Sequence, residues 1–183
     1  MDKSRLIKKQ YARRNLSGYR SPYTEVFKYR SIVSVGIEEV CKLMSSFVDV
    51  RSDQNTITQA RIKLDELIEF AGTLYNPNKW LVAFMNGNPI GYVFPQRYWD
   101  KPEEGSIFDI AVLPESQGRG YGKILHAKGL ELLAEMGAKE YVGSTDVENI
   151  PMIAIFLANG CKLTKIHTIK FYGYDNQRII KSE

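Results

Sequence analysis

The sequence is poor in cysteine and histidine, with two of each in 183 residues. Cys41 and Cys161 both lie inside apolar runs and read as buried free thiols, not as a disulfide framework. His126 and His167 are isolated, without the paired spacing of a metal site, so no metal is expected. Long apolar runs are missing as well. None approaches the roughly 18 residues of a membrane span, and the N-terminus lacks the apolar core of a signal peptide. The expectation is a cytoplasmic protein with no membrane contact.

What is present is ordinary for a globular chain: 44% hydrophobic and 25% charged residues. The length suits one domain that buries its own core. The net charge of +4 is modest but uneven. Lys3, Arg5, Lys8, Lys9, Arg13, Arg14 and Arg20 are opposed only by Asp2 before residue 23. Residues 1–22 therefore read as a basic N-terminal arm, solvated or frayed, with docking to an acidic partner as the functional alternative. Residues 23–183 form the single domain.

Periodicity divides that domain. Glu25 to Val33 is rich in β-branched and aromatic residues and predicts a strand. Ile37, Val40, Cys41, Met44, Phe47 and Val48 recur at helical spacing. Thr56, with Gln59 three residues on, opens a second helix with the stripe Ala60, Leu64, Leu67, Ile68, Ala71 and Leu74; Asn76-Pro77 stops it. Trp80–Met85 and Ile90–Phe94 flank Asn86-Gly87-Asn88, a hairpin signal. Ser106–Leu113 is a further strand, and a helix follows from about Gly120 to Gly137. Glu140–Gly143, a short helix over 150–158 and an extended stretch over Lys162–Tyr172 complete the order, with Asp175-Asn176 as a closing turn. The result is β-α-α-β-β-β-α-β-α-β, an α/β chain of the mixed-sheet (α+β) kind.

Between the third hairpin strand and the long helix lies Gln117-Gly118-Arg119-Gly120-Tyr121-Gly122-Lys123. Alternate glycines allow close approach of a ligand, and N–H groups at a helix start form a nest for phosphate. A dinucleotide fingerprint would need glycine at Lys123. A P-loop would need glycine at Gln117 and Ser or Thr at Ile124. Both fail.

Two blocks now carry a resemblance. Ile110-Ala111-Val112-Leu113-Pro114 through Gln117-Gly118-Arg119-Gly120-Tyr121-Gly122 resembles the acetyl-CoA motif of the GCN5-related N-acetyltransferase (GNAT) superfamily: a strand ending V-x-P, then Q/R-x-x-G-x-G/A, then a helix. Asn149-Ile150-Pro151-Met152 through Phe156 to Gly160 is similar to the family's second helix. The similarity covers about residues 80–165 well, residues 23–80 by element order only, and the basic arm not at all.

The resemblance implies a GNAT-like fold: a central, mostly antiparallel sheet splayed between two parallel strands, with helices on both faces. It implies acetyl-CoA as co-substrate, in the gap between Ser106–Leu113 and Glu140–Gly143. The Val112 backbone would hold the thioester region, and Gln117, Gly118, Arg119, Gly120, Tyr121, Gly122 and Lys123 the pyrophosphate. Asn149 would bond the pantetheine arm, although Asn is also a good helix N-cap. The implied reaction is direct acetyl transfer to a primary amine on a small molecule or peptide. Nucleic acid is not the expected partner, and a homodimer stays open.

The sequence departs from the family at the expected acid and base. Ser106 and Phe108 stand where a base is usual, and Phe156 stands where a tyrosine acid is usual. Asp109 and Glu104 are the nearest carboxylates, with Glu103 beside them. Strand parity turns Asp109 away from the cofactor side. Tyr98, Tyr141 and His167 are further candidates, each read first as packing. Tyr75, Trp80, Tyr92, Tyr98 and Trp99 offer aromatic surface to an acceptor. Two alternatives accompany this reading: an acyl-CoA-binding module without transfer, and a nucleic-acid or ribosome-associated protein using the basic arm.

Overall fold

The computed structural model describes residues 5–47, 56–171 and 177–182. Eight strands form one sheet: β1 Arg5–Asn15, β2 Lys28–Ser31, β3 Leu81–Met85, β4 Asn88–Arg97, β5 Glu104–Val112, β6 Glu140–Asp146, β7 Lys162–Phe171 and β8 Gln177–Ser182. Their order is β2-β3-β4-β5-β6-β1-β7-β8. Every pairing is antiparallel except β5 with β6. Beside these run α1 Ile32–Val35, α2 Ile37–Ser45, α3 Thr56–Ala71, α4 Tyr121–Glu135 and α5 Ile150–Ala158.

The largest departure from the sequence reading is at the N-terminus. Residues 5–15 are no solvated arm. They form β1, which lies between β6 and β7 and pairs with both. Its alternation explains how so basic a segment fits inside a sheet. Ala12 and the following Leu16 are buried against Leu130, Leu133, Tyr141 and Phe156. Lys9 and Arg13 point to the other face and meet carboxylates: Lys9 with Asp146 at 2.7 Å, Arg13 with Glu140 at 2.7 Å and with Glu104 at 3.3 Å.

Elsewhere the periodicities hold with shifted ends. The first expected strand is shorter, because Ser31 Oγ accepts the Ser34 N–H and starts the single turn α1. The stripe Ala60, Leu64, Leu67 and Ala71 of α3 is buried with Val40, Cys41 and Met44 of α2 against Trp80, Tyr92 and Phe94. That helix stops at Ala71, five residues before Asn76, where a 3-10 turn begins at Gly72. Asn86 and Gly87 both take positive φ, 51° and 83°, which fits the two-residue turn joining β3 to β4. The proposed closing turn at Asp175-Asn176 and the expected helical position Val48 lie outside the described residues. Both cysteines are buried and free.

The two faces of the sheet differ. α1–α3 cover the β2–β5 half of one face. α4 and α5 cover the other, with α4 across β4 and β5. The β6-β1-β7 half of the first face carries no helix among the described residues, and the edge of α3 overlooks a hollow there.

Candidate active site

β5 and β6 touch in register only at Glu104↔Glu140 and Gly105↔Tyr141. Beyond that junction they part, and a wedge opens toward the β5–α4 loop. Leu113 N–H donates to Ile90 O at 2.8 Å. Antiparallel alternation then turns the backbone of Val112 away from β4 and toward the wedge. Val112 O is already engaged, accepting from Gln117 Nε2 at 3.0 Å. Ile110 N–H faces the same way and donates to Asp109 Oδ1 at 3.1 Å. A strand-like ligand thus meets one wall of the wedge lined by edge backbone.

The top of the wedge is the glycine loop. Gly118 and Gly120 have φ of 75° and 78°, a region L side chains rarely enter, and no atom lies near where a Cβ would stand on either. Gly120 is the N-cap of α4 and offers no side-chain cap, and no acidic residue sits in the first turn. The opening N–H groups of α4 are therefore free to bind an anion. Arg119 is exposed beside them. Lys123 lies with Nζ 5.2 Å from the centre of the Tyr23 ring. Tyr121 packs edge-on against Phe27 at 5.1 Å, so its contribution at the loop is its backbone. Gly122 serves packing: a Cβ there would stand 2.8 Å from Ile155 Cδ1, so it sets the approach of α4 to α5. Asn149 caps α5, its Oδ1 accepting from Met152 N–H at 3.2 Å.

The expected carboxylates are engaged elsewhere. β5 carries a bulge opposite Phe94 and Pro95, so Phe108 is the extra residue and the faces swap there. Phe108, Asp109 and Ala111 accordingly all lie on the α3 side. Asp109 Oδ2 meets Lys63 Nζ at 2.6 Å and accepts from Tyr92 Oη at 3.2 Å. With the Ile110 N–H added, the carboxylate is held by three donors. Glu104 sits at the β5/β6 junction, paired with Arg13, and Glu103 pairs with Lys139. Trp80 and Tyr92 are buried core, whereas Trp99 is exposed.

Below the parting strands, on the α3 face, lies a cavity of about 350 Å³. Tyr11, Phe70, Tyr98, Ser106 and Phe108 give it an aromatic rim with polar points, and Lys9 sits at its edge. Tyr98 bonds Ser106, and burial holds its phenol above the usual pKa. Tyr11 bonds Ser144 and stacks edge-on against His167 at 4.6 Å, and its pKa is likewise raised by burial. Lys9 and Tyr11 come from β1. Sequence reasoning missed both, because a run of basic residues gives no local sign of a central strand.

On the opposite face, Phe156 is buried in the core, its ring centre 5.5 Å from His126 and 6.3 Å from Tyr141. His126 is fully buried, and desolvation, reinforced by Arg14, pushes its pKa down to about 3. The unfolded chain takes up a proton below about pH 6.5 that the native imidazole refuses, so His126 costs stability as pH falls from about 6.5 toward about 3. The expected slope is up to about 1.4 kcal/mol per pH unit. Denaturant melts at pH 7 and 4.5 should show wild type losing about 2–3 kcal/mol more than His126→Gln. Equal losses would mean that the imidazole is charged in the fold.

Residues 44–160, more than half of the chain, match the Acetyltransferase (GNAT) family. A mycothiol acetyltransferase of Kocuria rhizophila is 30% identical over 109 residues, which is 56% of this chain and 36% of that protein. An L-2,4-diaminobutyric acid acetyltransferase of Nocardia farcinica is 30% identical over 93 residues, 49% of this chain and 48% of the relative. The chain thus spans about a third to a half of the length of these relatives. Among solved structures, a GCN5-related N-acetyltransferase from Sphaerobacter thermophilus superposes with a TM-score of 0.66 at 15% identity, over 97% of this chain and 53% of the other. That likeness speaks for the fold, and the match over residues 44–160 for the family: the chain belongs to the GNAT acetyltransferases.

Proposed function

We propose that the protein is an acetyl-CoA-dependent N-acetyltransferase acting on a primary amine by direct attack on the thioester. The observation that carries the reading is the wedge between β5 and β6, topped by the uncapped N-terminus of α4 and the left-handed Gly118 and Gly120. These residues fit the co-substrate. The N–H groups around Gln117 to Gly122 suit a pyrophosphate, with Arg119 and Lys123 adding positive charge. The Val112 N–H suits an extended amide-containing arm. For Asn149 the capping bond is compatible with a second bond from its amide nitrogen to that arm.

The amine would enter from the α3 face, through the cavity rimmed by Tyr11, Tyr98 and Phe108. Alignment across the wedge turns a bimolecular attack into a local one. Deprotonation matters, since an amine of pKa ~10.4 is neutral about once in two thousand molecules at pH 7. Asp109 is poorly suited to that task, being held by three donors, so we assign proton removal to water in the cavity beside Ser106 and Tyr98. The relatives' names speak for a small-molecule amine as the acceptor class. The experiment is amine-dependent release of CoA thiol from acetyl-CoA across a panel of amines. Release that no amine accelerates would refute transfer.

A further inference from the structure

Phe156 leaves the wedge without a phenol at the usual place, but a different phenol stands next to it. Tyr141 pairs with Gly105 at the last contact before β5 and β6 separate. Its ring runs along β6, so that a Cβ on Gly143 would overlap Tyr141 Oη. Gly143 lines the cavity from the α3 face with its backbone, and on the opposite face the hydroxyl takes the place a side chain on Gly143 would fill, directly beneath the strand that borders the wedge. The phenol therefore approaches from the α4/α5 face, opposite the side from which the amine would come.

The hydrogen bonds around it assign its proton. Asn159 Nδ2 lies 3.0 Å from Lys123 O and 2.9 Å from His126 Nδ1. A carbonyl only accepts, so this end of Asn159 is the NH₂ group, and its second hydrogen points at His126 Nδ1. Nδ1 is then the unprotonated nitrogen of a neutral, buried imidazole, and Nε2 carries the hydrogen. Nε2 lies 3.1 Å from Tyr141 Oη and donates to it. The phenol's own hydrogen must point elsewhere. Among the described residues, Tyr141 has no hydrogen-bond partner besides His126, and an unaccepted buried donor is costly. Full burial also holds the phenol well above its usual pKa, so it is protonated at neutral pH.

We infer that Tyr141 is the proton donor to the leaving sulfur, oriented by the chain Asn159–His126–Tyr141; the inference rests on the acetyl-transfer reading above. As the amine nitrogen bonds the thioester carbon, the carbon–sulfur bond breaks and its electron pair goes to sulfur. The phenol hydrogen moves to that sulfur, giving the free thiol. The nitrogen releases one proton to cavity water, and water returns one to the phenolate as the thiol leaves. The net change is amine plus thioester to amide plus thiol.

The test compares wild type with Tyr141→Phe, which keeps the ring. For the amine of a panel with the highest turnover, kcat should fall about 100-fold while the KM for acetyl-CoA stays near wild type. The melting temperature should fall modestly, because the buried His126 Nε2–H loses its acceptor, with the protein still folded at the assay temperature. A second readout needs no turnover. In a pH titration of the CoA complex followed by thiolate absorbance, the bound thiol should ionise at lower pH in wild type than in Tyr141→Phe, because a hydroxyl donor stabilises the thiolate. Turnover within twofold of wild type, with unchanged thiol ionisation, would overturn the assignment. Gly143→Ala, which displaces the hydroxyl without removing it, should change both readouts in the same direction, and wild-type values there would also overturn it. If wild type neither binds CoA nor turns over, the acetyl-transfer reading fails and takes this assignment with it; if wild type turns over and Tyr141→Phe matches it, only the assignment fails.

Discussion

Deletion of residues 1–15 is expected to abolish cooperative folding. β1 forms seven residue pairs with β6 and eight with β7. A ladder of that length holds roughly one hydrogen bond per pair, each worth about 1 kcal/mol net, so its loss is on the order of 10–15 kcal/mol. That equals the whole net stability of an ordinary domain, about 5–15 kcal/mol. The deletion also removes Ala12 from the cluster around Leu130 and Tyr141 and leaves β7–β8 without its neighbour. Ala12→Asp should act in the same direction, since it puts a charge at a fully buried site. Thermal melts of both variants check this. A truncated chain that melts cooperatively near the wild-type temperature would show that β1 is dispensable. Loss of RNA or DNA binding on deletion of residues 1–22 would therefore report unfolding, not a lost arm.

Gly120→Glu is expected to abolish stabilisation by CoA while leaving a folded protein. In wild type, CoA at 100-fold over its dissociation constant should add about 2.7 kcal/mol. At Gly120, φ is 78° and any Cβ is strained by about 1–2 kcal/mol. A carboxylate at a helix N-terminus regains about 0.3–1 kcal/mol, so the fold should survive. The same carboxylate occupies the anion nest and repels a pyrophosphate. Gly120→Ala carries the conformational cost without the charge and should keep part of the shift. Thermal denaturation with and without CoA separates these cases. A full shift in Gly120→Glu would mean that the pyrophosphate binds elsewhere.

Much of the architecture was legible because burial writes itself into periodicity. The stripe Ala60, Leu64, Leu67 and Ala71 and the turn at Asn86-Gly87 are local signals, and each became the expected element. The glycine loop was legible because positive φ at Gly118 and Gly120 demands that residue type. What stayed hidden depends on distant partners. β1 reads as an arm because its charges outnumber its apolar residues, yet those charges are matched by Asp146, Glu140 and Glu104, more than ninety residues away. The bulge at Phe108 is equally silent in sequence. Parity turned Asp109 away from the cofactor side, and the bulge instead sets Phe108 and Asp109 together on the α3 face. Tyr141, read first as packing, is packed as expected, but its hydroxyl gains meaning only from Gly143, His126 and Asn159 around it.

In the proposed reaction the wedge between β5 and β6 presents an acetyl thioester to an amine entering from the α3 face. The most direct measurement is the rate of CoA thiol release from acetyl-CoA by the wild-type chain, with and without each amine of a panel that includes L-2,4-diaminobutyrate, polyamines, amino sugars and peptide N-termini. At least one class should accelerate release in a saturable way and be recovered as its N-acetyl product, with Gly120→Glu giving the background rate. Stabilisation by CoA without amine-dependent release for any class would contradict the claim and leave an acyl-CoA-binding module in its place.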